Sequence, residues 1–269
     1  MKTFEFKPTE NSLATVYLHS LITSMETHRS SYPVVIVFPG GGYEHCSLRE
    51  ADPVAFEYFA AGFNVVVLNQ YSIQENASNF NPLFDAAKTI VTVRKHARQW
   101  HCNPHQIAVC GFSAGGHLAA SLGTMWNLTE LYQSLDIDKK ELRPDAMILC
   151  YPVICADEYA HQGSLQRVSG SCPGTKEYKF WDITSHVDAE TCPAFLWHTV
   201  NDQSVPVENT IAMISALQNH AVPYECHLFP EGTHGMSVCT QEVGSFDSYN
   251  QRWMPMSIQW LYRLFDYTK

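Results

Sequence analysis

The sequence predicts an α/β fold, with a mostly parallel central sheet and helices on both of its faces. Three observations predict it. Short continuous apolar runs recur along the chain, and a strand buried on both faces needs such a run because neither face meets water. Segments of helical periodicity separate the runs, and strands alternating with helices build parallel sheets. Two of the strongest runs end directly in glycine-rich turns, the punctuation expected where a buried strand gives way to a loop or helix.

Taken in order, Val34 to Phe38 is the first buried strand, and it ends at Pro39-Gly40-Gly41-Gly42. Asp52 to Gly62 reads as a helix, with Ala51, Ala55, Phe56 and Phe59 at helical spacing and Gly62 placed to end it. Val65 to Leu68 is a second strand, and the polar stretch 72–81 a loop. Leu83 to Trp100 reads as one long amphipathic helix, its late Arg94, Lys95 and Arg98 complementing the helix dipole. Ile107 to Cys110 is a third strand running into Gly111-Phe112-Ser113-Ala114-Gly115-Gly116, and His117 to Trp126 continues as helix. Met147 to Tyr151 and Ala194 to Trp197 are further strands. Val207 to His220 is a helix, Tyr224 to Phe229 a sixth strand, and Arg252 to Phe265 a closing helix. Thr15 to His19 is expected to add an antiparallel edge strand. Residues 1–269 read as one domain, without repeats or linkers, and with an excursion at 155–192 expected to form at most a small cap.

Composition narrows the function. With 45% hydrophobic and 16% charged residues the chain has the material for a large core. A net charge of -10 argues against nucleic acid and anionic membranes as partners. No apolar run approaches the roughly 20 residues that cross a bilayer, and the first residues lack a signal-peptide core. The nine cysteines are scattered without C-x-x-C or zinc-finger spacing. Reduced thiols in a cytoplasmic protein are the expectation.

Gly111 to Gly115 matches G-x-S-x-G. Composition alone supplies that pattern in about one chain in twenty, so the context carries the argument. An apolar strand precedes it and a helix follows, the setting of a nucleophile elbow. Glycine at 111 and 115 is expected because a side chain there would meet neighbouring backbone. The tight turn projects the Ser113 hydroxyl at a helix N-terminus, where free N–H groups and the dipole favour developing negative charge. A plain N-cap serine in a glycine-rich turn is the competing reading.

A serine hydroxyl needs a base, and the base an orienting acid. The order expected after the serine is acid and then histidine, each on a loop following a later strand. Asp202 follows the fifth strand, just before Val205-Pro206 opens a helix. His234 sits between Gly232 and Gly235 after the sixth strand. His198, at a strand end, and His227, inside a strand, are less free to reach the serine; Asp182 and Asp188 precede the fifth strand. Gly41 and Gly42, with Ala114, are the candidate N–H donors to an oxyanion. No G-x-x-x-x-G-K-[ST] pattern supports a phosphate loop there.

Four blocks, FPGGGY at 38–43, GFSAGGHLA at 111–119, HTVNDQSVP at 198–206 and PEGTHG at 230–235, resemble the α/β-hydrolase superfamily. Within it they resemble the small esterase/lipase group that includes hormone-sensitive-lipase-like and acetyl-xylan-esterase-like bacterial enzymes. The resemblance runs from Val34 to the closing helix. It implies the α/β-hydrolase fold, with Ser113 as nucleophile, Asp202 as acid, His234 as base, and Gly41, Gly42 and Ala114 as oxyanion donors. Pro39 departs from the histidine that usually opens the glycine loop. Tyr71 is followed by Ser72 where the group often carries a basic residue, so no role transfers to that region.

The expected activity is hydrolysis of short-acyl carboxylic esters, acetylated sugars among them, with a small-molecule ester as partner and neither metal nor organic cofactor. The rivals are a prolyl-oligopeptidase-like peptidase, for whose usual extra domain the 33 residues before the first strong strand leave no room, and an inactive hydrolase fold acting as a binder. Tyr159, Tyr178, Phe180 and Trp181 are expected either to wall an acyl or sugar pocket or to be plain core. Oligomeric state is not readable.

Overall fold

A computed structural model describes residues 1–21 and 30–268. The chain enters through β1 (Lys2–Phe6) and β2 (Leu13–Leu18). It continues as β3 (Tyr32–Phe38), α1 (Asp52–Ala60), β4 (Asn64–Gln70), α2 (Asn81–Lys95) and α3 (Ala97–Trp100). Next come β5 (Cys102–Phe112), α4 (Ala114–Met125), α5 (Thr129–Leu135) and β6 (Ala146–Cys150). Then follow α6 (Gln162–Ser169), α7 (Lys176–Phe180), β7 (Ala194–Thr199), α8 (Glu208–Asn219), β8 (Tyr224–Phe229) and α9 (Trp253–Leu264).

The strands form one sheet in the order β1-β2-β4-β3-β5-β6-β7-β8. β2 pairs antiparallel with both β1 and β4, and every other pairing is parallel. This is the α/β-hydrolase fold. Side chains of a strand point alternately to opposite faces, and two separate cores result. Val34, Ile36, Val109 and Leu149 face one way and pack with Leu83 and Ile90 of α2, Leu118 of α4 and Leu217 of α8. Val35, Val37, Ile148 and Trp197 face the other way and pack with Val54 and Tyr58 of α1 and Trp253 and Leu261 of α9. Helices on both faces explain why the central strands are apolar at successive positions.

The chain departs from the sequence reading in four places. β1 was not expected; its short polar-apolar alternation half-buries one side, where Phe4 and Phe6 lie 5.3 and 5.8 Å from the Trp100 ring. The edge strand at 15–19 is present as β2 and begins two residues earlier. The long helix expected over 83–100 is divided at His96, where φ −100° and ψ 7° leave the helical region. The His96 ring stacks on Trp100 at 5.1 Å, which keeps the apolar stripe continuous through the break. α5 was also unexpected, and the segment 155–192 contains α6, α7 and a 3-10 turn at Ile183–His186. Among the described residues no helix is long and apolar enough to cross a membrane.

The turn between β5 and α4 leaves no room for side chains at Gly111 and Gly115. A Cβ on Gly111 would lie 2.0 Å from the carbonyl oxygen of Gly115. One on Gly115 would lie 2.1 and 2.4 Å from the carbonyl oxygens of Phe38 and Pro39. These neighbours are backbone, and backbone at the centre of a parallel sheet has little room to retreat. Gly115→Ala is therefore expected to lower the melting temperature by 10 °C or more, at about 2–4 °C per kcal/mol for a domain of this size. Gly174→Ala, with open space around it but φ of +87°, should lose only the roughly 1 kcal/mol of a left-handed backbone. Circular-dichroism melts of the two variants make the comparison.

Candidate active site

The loops that follow parallel strands emerge at the strands' C-terminal ends, where open α/β sheets bind ligands. Ser113 follows β5, Asp202 follows β7 and His234 follows β8. Ser113 has φ 53° and ψ −117°, a strained conformation for a residue with a side chain. Its own N–H donates to the Cys150 carbonyl at 3.0 Å, and its carbonyl accepts from Val153 N–H at 3.1 Å. The elbow is thus pinned to the residues at the end of β6 and just beyond it, and Ser113 is only 8% exposed.

The structure brings the three predicted side chains together. His234 Nε2 lies 2.8 Å from Ser113 Oγ, and His234 Nδ1 lies 2.6 Å from Asp202 Oδ2. An ionised carboxylate only accepts, so Nδ1 carries the proton and donates to Asp202. Nε2 of the neutral ring is then left to accept from the Ser113 hydroxyl. The Tyr151 ring meets the His234 ring edge-on at 5.0 Å and limits its rotation.

Asp202 is buried, and burial alone would push its carboxyl up. Hydrogen bonds from His198, from His234 and from the Val205 amide outweigh that and hold it well below the usual carboxylate range. Its Oδ1 accepts from the Ser204 and Val205 N–H groups at 2.8 and 3.0 Å, and the same Asp therefore shapes its own loop.

Gly41 and Gly42 line the same cavity as Ser113, and Ala114 follows it directly; none of their N–H groups has a backbone acceptor among the described residues. Ala114 is the first residue of α4, so its N–H has no partner within the helix. Gly41 and Gly42 have φ of 125° and 67°, which suits glycine, and the Gly41 carbonyl accepts from the Glu44 and His45 N–H groups in a tight turn. Pro39 does not distort this loop, because Tyr71 donates its hydroxyl to the Pro39 carbonyl at 2.8 Å. Glu50 holds the next residue. Its buried carboxylate accepts from Gly40 N–H at 2.8 Å and from the Tyr151 hydroxyl at 2.7 Å. The Tyr151 hydroxyl in turn accepts from Ser237 N–H at 2.9 Å, beyond His234. One carboxylate thus joins the glycine loop to the histidine loop.

His117 makes a second tie. Its Nδ1 lies 2.8 Å from the Tyr43 hydroxyl and its Nε2 3.1 Å from the Trp181 carbonyl. A carbonyl only accepts, so Nε2 is the protonated nitrogen and Nδ1 accepts from Tyr43.

The cavity over Ser113 and His234 measures about 310 Å³ and is lined by glycines and by Ser, His, Arg and Glu side chains, His161 and Arg167 among them. Burial, followed by the nearby His234 and Arg167 charges, lowers the His161 pKa. The aromatic residues at 155–192 do not wall this cavity. Phe180 and Trp181 line a different one beside Phe80, Tyr178 is core, and Tyr159 is exposed. No group of three or more His, Cys, Asp or Glu side chains among the described residues is placed to hold a metal.

The family profile of BD-FAE matches residues 22–217. The chain belongs to the BD-FAE family. The match spans the glycine loop, Ser113 and Asp202, and ends before His234. Among solved structures, the acetyl ester-xyloside bifunctional hydrolase of Caldicellulosiruptor lactoaceticus superposes with a TM-score of 0.83 at 33% identity, over 99% of this chain and 97% of that one. Endo-1,4-beta-xylanase B of Butyrivibrio fibrisolvens is 32% identical over 78% of this chain and 33% of its own. The acetylxylan esterase of Xylanibacter ruminicola is 30% identical over 77% of this chain and 41% of its own. The chain thus spans less than half the length of these two relatives. BD-FAE membership places it in the esterase group of the α/β-hydrolase superfamily.

Sequence reasoning missed Glu50, Tyr71, His117 and Tyr151. Nothing local marks Glu50 as buried, since Arg49-Glu50 looks like a solvated pair. His117 stood inside the GFSAGGHLA block, where it was legible as part of the resemblance but not as a structural tie. Burial pushes the His117 pKa down from 6.5 to about 4. Between those values the unfolded chain binds a proton that the folded chain refuses, so stability falls as pH is lowered through the window. The full slope is about 1.4 kcal/mol per pH unit. His117→Gln is expected to show a smaller drop in urea midpoint from pH 7 to pH 5 than the unaltered protein, read by fluorescence-monitored unfolding.

Proposed function

We propose that this chain hydrolyses short-acyl carboxylic esters through a Ser113-His234-Asp202 triad and an acyl-enzyme. The unbroken hydrogen-bonded series from Ser113 Oγ through His234 to Asp202, at 2.8 and 2.6 Å, carries the reading. His234 Nε2 takes the Ser113 proton as Oγ attacks the ester carbonyl carbon. The carbonyl oxygen becomes an oxyanion and accepts from the N–H groups of Gly41, Gly42 and Ala114, each such donor contributing about 3 kcal/mol to the transition state. The C–O bond to the alcohol breaks as His234 returns the proton to the leaving oxygen. Water, deprotonated by His234, then attacks the acyl-enzyme and frees the acid and Ser113. Asp202 remains ionised throughout, holds the ring tautomer and stabilises the imidazolium.

The polar cavity supports the substrate class. A long acyl chain needs an apolar channel, and no aliphatic, Phe, Tyr or Trp side chain lines the cavity over Ser113 and His234. A short acyl group on a hydroxyl-rich alcohol fits such a lining, and we place acetylated sugars first. The activities for which the Xylanibacter and Caldicellulosiruptor proteins are named point the same way. We further propose that residues 155–192 act as a small cap, since His161 and Arg167 reach the cavity from that segment.

Ser113→Ala is expected to lower kcat/KM on p-nitrophenyl acetate by at least about a thousandfold and to abolish fluorophosphonate labelling. The unaltered enzyme is expected to favour acetyl over decanoyl esters at least tenfold. Retained activity in Ser113→Ala would sink the nucleophile assignment, and a preference for the long chain would sink the substrate class.

A further inference from the structure

Arg49 stands out among the charged groups around the cavity because its guanidinium pairs with no carboxylate among the described residues. Arg167, the other arginine there, is engaged: it pairs with Glu44 at 2.8 Å and donates to the Gly163 carbonyl at 3.0 Å. The acidic residues of the lining are engaged too, Glu44 by Arg167 and Glu50 by Gly40 N–H and Tyr151. Arg49 is therefore the arginine of this lining that forms no ion pair among the described residues, although the neighbouring Glu50 carboxylate, held by neutral donors, lies on the same side of Gly235.

Its position is built rather than incidental. The Ser237 hydroxyl donates to the Arg49 carbonyl at 2.5 Å, tying this residue's backbone to the histidine loop. A Cβ on Gly235 would lie 2.6 Å from Arg49 Nη2, so the absence of a side chain at Gly235 is what lets the guanidinium rest against the residue after His234. Gly235 has φ of +75°, a second reason for glycine there.

This location selects one half of the substrate. In acyl transfer the leaving oxygen receives its proton from the histidine, so the alcohol must lie on the His234 side, whereas the acyl oxygen lies toward the glycine loop. A cation against Gly235 meets the alcohol. We propose that Arg49 forms a subsite for a carboxylate carried on the alcohol portion of the ester, so that acidic alcohols, sugar acids among them, are preferred leaving groups. The inference rests on the esterase reading above. Guanidinium is suited to this because its fork of N–H donors matches a carboxylate in two-point geometry.

The test compares para-acetoxybenzoate with para-acetoxybenzamide, esters of equal size that differ in the charge of the alcohol. The enzyme is expected to give a kcat/KM ratio of about fivefold or more in favour of the anionic ester at low ionic strength, shrinking as salt screens the charge. Arg49→Gln is expected to bring the ratio close to one, and Arg49→Lys to restore part of it. A ratio of one or less in the unaltered enzyme, a ratio indifferent to salt, or a ratio that survives Arg49→Gln overturns the proposal. Ser113-dependent hydrolysis of both esters at equal rates overturns this subsite alone. Absence of Ser113-dependent hydrolysis of either ester overturns the esterase reading with it.

Discussion

The backbone contact between the elbow and the end of β3 is the constraint on which the site depends. β3 pairs directly with β5, with Phe38 opposite Gly111. The two loops that leave these strands, the glycine loop and the elbow, therefore start side by side. Gly115 then closes the gap, its Cα pressed toward the Phe38 and Pro39 carbonyls. This approach sets the first turn of α4 against the start of the glycine loop. No side-chain interaction could substitute for it, because a side chain is what the contact forbids.

A strained elbow persists only where its surroundings determine it, and here hydrogen bonds do so from three sides. Ser113 N–H and carbonyl are held by Cys150 and Val153. The glycine loop is held by Tyr71 at Pro39 and by Glu50 at Gly40. The histidine loop is reached from the same Glu50 through Tyr151 and Ser237. Burying a carboxylate is costly unless its oxygens are satisfied, and Glu50 meets that condition by accepting from both loops. Its charge thus has a geometric consequence: the glycine loop and the histidine loop are both referred to one buried group.

The sequence made some of this legible and hid the rest for physical reasons. The central strands were readable because burial on both faces leaves no polar position to confuse the pattern. Ser113, Asp202 and His234 were readable because each lies in a loop directly after an apolar run, where chain order predicts proximity. β1 was hidden because an edge strand of five residues only half-buries Phe4 and Phe6. The division at His96 was hidden because Trp100 continues the apolar stripe beyond it. Glu50 and Tyr151 were hidden because their partners are 10 and 101 residues from Glu50 along the chain, a separation no local pattern reports. Pro39 looked like a threat to the loop in the sequence. Its carbonyl, which proline retains, is the atom that Tyr71 holds, so the missing N–H costs nothing at this point.

His198 shows how the fold chooses between two histidines that both touch the acid. Its Nε2 lies 3.4 Å from Asp202 Oδ2, whereas His234 Nδ1 lies at 2.6 Å. His198 Nε2 is closer to the Val205 carbonyl, at 3.0 Å, and its Nδ1 lies 2.8 Å from the Thr210 hydroxyl. A carbonyl and a carboxylate accept only, so the Nε2 proton of His198 is shared between the nearer Val205 carbonyl and Asp202, and Nδ1 is left to accept from Thr210. Both nitrogens are thereby committed to the loop and helix that follow β7, and the ring is wholly buried. His234 differs in having one nitrogen committed to Asp202 and the other turned to Ser113. Only the second arrangement leaves a basic nitrogen where a proton has somewhere to go. His198 therefore supports Asp202 from behind, helping to keep the carboxylate ionised in a buried site, while the sheet reserves the front of the same carboxylate for His234.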